Sequence, residues 1–253
     1  MGNTVSQLFP PKPRFTDKDV PDLQGKVYLV TGSNTGVGLE LATILHSKNA
    51  KVYIAARSKD KSLKAIEQIR RANPASKGGL EATRTILEST TWALSCLRSL
   101  TPILAATAKE EEPGRVRVVW VASTAAEGFS HKPGGVPLDN LDYHEPYKDS
   151  GIVSVALHPG NLDTDMWKVQ SLTKFLLRHT ILYPIIFGAY TELFAGLSSQ
   201  VSMEKSGSWI VPWGRIMPIR PDIVAASKTE EEGGSGIARK FWQWANDQVE
   251  PYV

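Results

Sequence analysis

Cysteine is all but absent. The single one, Cys96, excludes an internal disulfide and fits a reducing compartment. Five histidines, at positions 46, 131, 144, 158 and 179, lie far apart and show no metal-ligand spacing, so no metal site is expected. Apolar runs long enough to cross a bilayer are missing as well. Thr180 to Phe187 is apolar, but Arg178 and His179 border it and Pro184 interrupts it. The N-terminus has no apolar signal-peptide core. Neither sign of charge is in excess: 29 Lys and Arg are scattered among 26 Asp and Glu, net +3, which argues against a nucleic-acid partner. These absences leave a cytoplasmic protein as the default.

What is present can build a core. The chain has 253 residues, of which 42% are hydrophobic. Four prolines between residues 7 and 25 predict an extended arm over 1–25, followed by a single domain over 26–253. Residues 26–31, 51–56, 116–121 and 152–157 are short, continuously apolar runs of the kind that form buried parallel strands, and 208–211 is a shorter one. Helical spacing marks 39–48 and 58–72. It also marks 81–109, in two pieces broken at Pro102, and 236–249, with Ile237, Phe241, Trp244 and Val249 facing inward. Strands separated by helix-length segments predict an α/β fold with a Rossmann-like, doubly wound parallel sheet. Met-Gly-Asn-Thr-Val-Ser at the start fits N-myristoylation of Gly2, with Ser6 in the pattern; chance is the competing reading of so short a motif.

The most informative segment joins the first predicted strand to the first helix. It reads Thr31-Gly32-Ser33-Asn34-Thr35-Gly36-Val37-Gly38. Gly32 permits a tight turn, Gly36 lets the backbone approach a pyrophosphate, and Gly38 allows close packing of helix and strand. N–H groups at the helix start then meet phosphate charge. The second strand ends at Arg57, where an acid would select NAD through the ribose hydroxyls. A guanidinium instead pairs in bidentate fashion with a 2′-phosphate, which favours NADP.

The spacing Thr-Gly-x-x-x-Gly-x-Gly resembles the short-chain dehydrogenase/reductase family, and three further segments agree. Trp120-Val-Ala-Ser123 is similar to the family's catalytic-serine strand. His158-Pro-Gly-Asn-Leu-Asp-Thr164 is similar to its Pro-Gly-x-x-x-Thr loop. Gly188–Ala195 and Trp209–Gly214 resemble fungal members near the retinol-dehydrogenase and WW-domain oxidoreductase branch. The resemblance implies that Ser123 is catalytic. It implies that Pro159, Gly160, Leu162 and Thr164 join Thr31, Gly32, Ser33, Asn34, Gly36, Val37, Gly38 and Arg57 in holding NADP. Residues 165–220 would cover the substrate cleft. Their Trp167, Phe175, Leu176, Tyr183, Ile186, Phe187 and Trp213 fit either an apolar carbonyl or alcohol substrate or plain core.

Two pieces of the family pattern are missing. Its general acid–base pair is a tyrosine and a lysine one helical turn apart, and no Tyr-x-x-x-Lys occurs in this sequence. Tyr143, Tyr147 and Lys148 are poorly spaced substitutes, and only Asp149 and Ser150 separate Lys148 from the next strand. The second gap opens near Lys77-Gly78-Gly79. There the family's third strand and the Asn-Asn-Ala-Gly motif of its fourth should follow. Family strands run 3-2-1-4-5-6-7, so losing the fourth predicts either closure into a smaller 2-1-5-6-7 sheet or unpaired backbone at its former neighbours. Thr90–Ser99 matches no family helix as written. Codons read from the third base of Thr90 permit Asn-Leu-Gly-Pro-Phe-Leu-Leu-Thr-Lys, which resembles that helix. Three readings stand: an impaired NADP(H) oxidoreductase, a catalytically dead nucleotide-binding or interaction protein, and a truncated product of a frameshifted or mis-spliced gene.

Overall fold

The computed structural model describes residues 2–84, 92–125, 150–164 and 177–249. The chain divides into two compact units. The first comprises Met1–Ile86, Pro159–Phe194 and Pro212–Gly214; the second comprises Leu87–His158, Ala195–Val211 and Arg215–Val253.

The first unit is built on three parallel strands in the order β1-β2-β3: β1 (Val27–Thr31), β2 (Lys51–Ala56) and β3 (Leu80–Arg84). The register sets Val27 opposite Lys51 and Thr31 opposite Ala55, then Val52 opposite Leu80 and Ala56 opposite Arg84. Helix α1 covers Gly2–Leu8. Helices α2 (Gly36–Ser47) and α3 (Lys59–Ala72) are the crossovers. Ser58 caps α3 by accepting the Lys61 N–H at 3.3 Å, and Arg70 and Arg71 sit in its last turn, where cations suit the helix dipole. The middle strand carries the core: Val52 and Ile54 are fully buried, as are Ala42 of α2 and Ile69 of α3, and Leu45 of α2 is nearly so.

The second unit has a four-stranded sheet ordered β4-β5-β6-β7: β4 (Val116–Val121), β5 (Ile152–Leu157), β6 (Trp209–Val211) and β7 (Arg215–Met217). β4, β5 and β6 pair in parallel, and β7 turns back antiparallel to β6. Its helices are α4 (Trp92–Glu110), α6 (Pro221–Ser227) and α7 (Ile237–Val249); of α5 (Ile185–Leu197), the residues through Phe194 belong to the first unit and those from Ala195 to the second. The Arg117 guanidinium donates to the carbonyls of Gly114, Ala195 and Ser198 at 2.9–3.1 Å, tying β4 to the end of α5.

The α/β class and Rossmann-like fold are as the sequence predicted. The strand order is not. A third strand does form, from Leu80–Arg84, and no described pair joins β1 to β4, so the 2-1-5-6-7 sheet is replaced by two sheets. The third strand forms because β2 offers Leu80–Arg84 a full parallel register. Val27 is 61% and Leu29 38% exposed on β1, and Val121 is 58% exposed at the end of β4.

Three local expectations also need correction. Helix α4 continues through Pro102 instead of breaking there. A proline removes one backbone bond, and the packing of α4 on β4, β5 and α7 outweighs that loss. On α7 the inward face is offset: Ala238 is buried and Trp242 packs against Ala108, Val116 and Ile152, whereas Phe241 and Trp244 are exposed. Both faces have helical spacing, and only the neighbouring elements choose between them. The arm is no free extension. It opens with α1, buries Val20 and Leu23, and belongs to the first unit.

Candidate functional site

The turn after β1 is shaped by glycine where the backbone demands it. Gly32 adopts φ +68° and donates its N–H to Ala55 at 2.8 Å, and Gly36 adopts φ +59° as α2 begins. A Cβ on Gly38 would lie 3.0 Å from the Ser33 Cα and 3.2 Å from the Gly32 carbonyl, so any larger residue would crowd the backbone of the turn where the helix starts. The Ser33 hydroxyl donates to the Val30 carbonyl at 2.6 Å, and the whole residue is buried. Thr35, the residue before α2, makes no side-chain capping bond, and the first turn of α2 holds no acid. The N–H groups there keep their capacity for an anion.

Arg57 follows β2 immediately. Because Ala55 already bonds the Gly32 N–H, the guanidinium issues from the same carboxyl edge of the sheet as the glycine turn. It is exposed and makes no ion pair among the described residues.

The loop 159–164 belongs to this same unit and is held from two sides. Tyr183 donates its N–H to Asn161 at 2.8 Å, and Asp163 donates to Tyr183 at 2.9 Å; Arg178 pairs with Asp163. Gly160 has φ +95°, and a Cβ there would fall 2.5 Å from Cζ3 of Trp213. Trp213 in turn meets Tyr183 and Phe187 edge-on at 5.1 and 5.2 Å between ring centroids. Three residues considered for a substrate pocket therefore support the loop and pack on one another. Leu162 is buried, and Thr164 donates its N–H to Leu162 at 2.9 Å. The arm adds two polar anchors: Tyr183 donates to the Leu8 carbonyl at 3.3 Å, and Tyr190 donates to Asp17 at 2.9 Å. Burial and the Asp17 contact push the Tyr190 hydroxyl up to about 12.

Thus Thr31, Gly32, Ser33, Asn34, Gly36, Val37, Gly38, Arg57, Pro159, Gly160, Leu162 and Thr164 all fall in the first unit. Ser123 falls in the second, exposed beyond β4, its hydroxyl accepting the Ala125 N–H at 3.2 Å. Also in the second unit, His158 is buried against Trp209, and burial together with Arg215 pushes it down to about 4, so it stays neutral. Tyr143, Tyr147, Lys148, Trp167, Phe175 and Leu176 lie outside the described residues. Among the described residues no cluster of His, Cys, Asp and Glu could hold a metal, and no helix is long and apolar enough to cross a membrane. Sequence reasoning missed Gly188 and the bracing role of Trp213. Their only signal was glycine and tryptophan in segments resembling the fungal members.

No family model matches the chain. A short-chain dehydrogenase/reductase of Phomopsis amygdali is 40% identical, covering 99% of this chain and 97% of the relative. The short-chain dehydrogenase/reductase bet4 of Neocamarosporium betae is 33% identical over 98% of this chain and 93% of its own length. The first alignment runs over 327 positions against 253 residues, so about 75 positions of the relative have no counterpart here. Among solved structures, an NADPH-bound short-chain oxidoreductase from Pseudomonas aeruginosa with an atypical catalytic centre has a TM-score of 0.55 at 19% identity. It matches 76% of this chain and 96% of its own. A 3-ketoacyl-(acyl-carrier-protein) reductase from Brucella melitensis complexed with NADH has a TM-score of 0.56 at 18% identity, over 76% and 98%.

Proposed function

Because the chain belongs to the short-chain dehydrogenase/reductase family, we propose that its first unit binds NADP(H) and that its oxidoreductase chemistry is impaired. The observation that carries the binding half is the uncapped, acid-free start of α2 beside the exposed Arg57. Backbone N–H groups at the start of α2 would hold the pyrophosphate, Arg57 would hold the 2′-phosphate, and the loop 159–164 would position the nicotinamide end. When bound, the cofactor supplies a hydride for carbonyl reduction or accepts one from a secondary alcohol. Ser123 orients the substrate oxygen, and no tyrosine–lysine pair stands ready to move the proton. The substrate class is an apolar small carbonyl or alcohol and the setting cytoplasmic.

Cofactor choice is tested by titration. Arg57→Ala is expected to weaken NADPH by about tenfold, the loss of one charge-assisted phosphate contact. NADH, which has no 2′-phosphate, should bind both forms alike. Equal NADPH affinity in the two proteins would remove Arg57 from the site.

A second reading is favoured by a specific observation. The roughly 75 unmatched positions, together with the family-like segment that degenerate codons for Thr90–Ser99 permit in a shifted frame, support a frameshifted or mis-spliced gene. Sequencing the transcript separates the two: a message matching this chain throughout supports a real, shortened protein, and one encoding an ungapped relative assigns activity to the longer product.

A further inference from the structure

Helix α5 carries two glycines, and they differ. At Gly196 an added Cβ would meet nothing within 4 Å. At Gly188 it would overlap Cδ1 of Leu162 and lie 3.1 and 3.3 Å from the two Cγ atoms of Val37. Leu162 is only 5% exposed, so its tip cannot swing into solvent. Val37 is β-branched, with a restricted side-chain torsion. These two neighbours come from different parts of the proposed site. Val37 is the second residue of α2, inside the glycine turn, and Leu162 lies in the loop 159–164. One bare position on α5 therefore touches both ends of the dinucleotide site. The residue before it, Phe187, braces Trp213, which covers Gly160 of the same loop.

We propose that Gly188 is a positioning residue that sets the spacing between the pyrophosphate turn and the nicotinamide loop, so that one cofactor is gripped at both ends. This rests on the NADP(H) reading given above. A side chain at 188 pushes Leu162 against a packed interior, and no atom of Arg57 is among the three nearest it.

The test compares NADPH with 2′,5′-ADP, which carries the adenosine and the 2′-phosphate and lacks the nicotinamide half. Full-length protein is titrated with each. In Gly188→Ala, NADPH binding is expected to weaken about tenfold, while 2′,5′-ADP stays within about twofold of the unsubstituted chain. Gly196→Ala should change neither. Adding Leu162→Val to Gly188→Ala removes the overlapping methyl and should recover most of the NADPH affinity; this double variant carries the comparison where the single one folds poorly. Unchanged NADPH affinity in Gly188→Ala, an equal loss for both ligands, or no recovery in the double variant overturns the proposal. Binding of neither ligand by the unsubstituted chain overturns the cofactor reading, and this inference with it.

Discussion

Mixed with NADPH and a panel of apolar ketones and aldehydes, the purified chain is expected to oxidise the cofactor about 10²–10⁴-fold more slowly than its 40%-identical relative from Phomopsis amygdali. That factor is what a positioned proton donor contributes, and no Tyr-x-x-x-Lys stands anywhere in the sequence to provide one. Ser123 can still orient a substrate oxygen. Its hydroxyl accepts from Ala125 and retains its own proton to donate. Once the proton donor is lost, however, removing its partner costs little more, because catalytic groups that act as a unit are strongly non-additive. Ser123→Ala should therefore lower the residual rate by less than about threefold. Loss of NADPH absorbance reads both effects, and a rate within about tenfold of the relative would contradict the first.

The largest stability effect is expected at Glu192. This residue lies on α5 one turn beyond Gly188, is 8% exposed and has no cation against it among the described residues. Burial alone pushes its carboxyl up to about 8 from the ordinary 4.5. The sign follows from linkage. Below about pH 4.5 both folded and unfolded chains hold the proton, and nothing is lost. Between 4.5 and 8 the unfolded chain ionises while the folded one does not, so stability falls as pH rises; above 8 the folded chain bears the full penalty. Glu192→Gln, which mimics the protonated side chain, should remove that slope and gain a few kcal/mol at pH 8.5 relative to the parent, with little change at pH 4.5. Thermal unfolding across this range reads it. Parallel pH profiles for the two proteins would show that the carboxyl is ionised in the fold.

The contrast between the two units explains which parts of this molecule could be read from residues alone. The glycine turn was legible because its demands are local: positive φ at Gly32 and Gly36, and tight backbone contacts for a Cβ at Gly38. β2 was legible because Val52 to Ala56 is an unbroken apolar run, as a largely buried strand requires. β3 was not, since Leu80-Glu-Ala-Thr-Arg84 becomes a strand only through its register with β2. The face of α7 was misjudged for a related reason: Phe241 and Trp244 are apolar at helical spacing, yet the Ala238–Trp242 side is the one with a partner. Gly188 escaped notice because its meaning lies in two contacts, with Val37 and Leu162, both remote in sequence. Local chemistry can be read along the chain; pairings between distant residues need the fold.

Calorimetric titration of the full chain with NADPH tests the central claim most directly, because it asks whether a cofactor site persists where the acid–base pair does not. Saturable one-site binding, tighter than that of NADH, is the predicted result. Absence of heat or of any thermal stabilisation at saturating NADPH would contradict the account, leaving the glycine turn and Arg57 as relics of ancestry with no ligand.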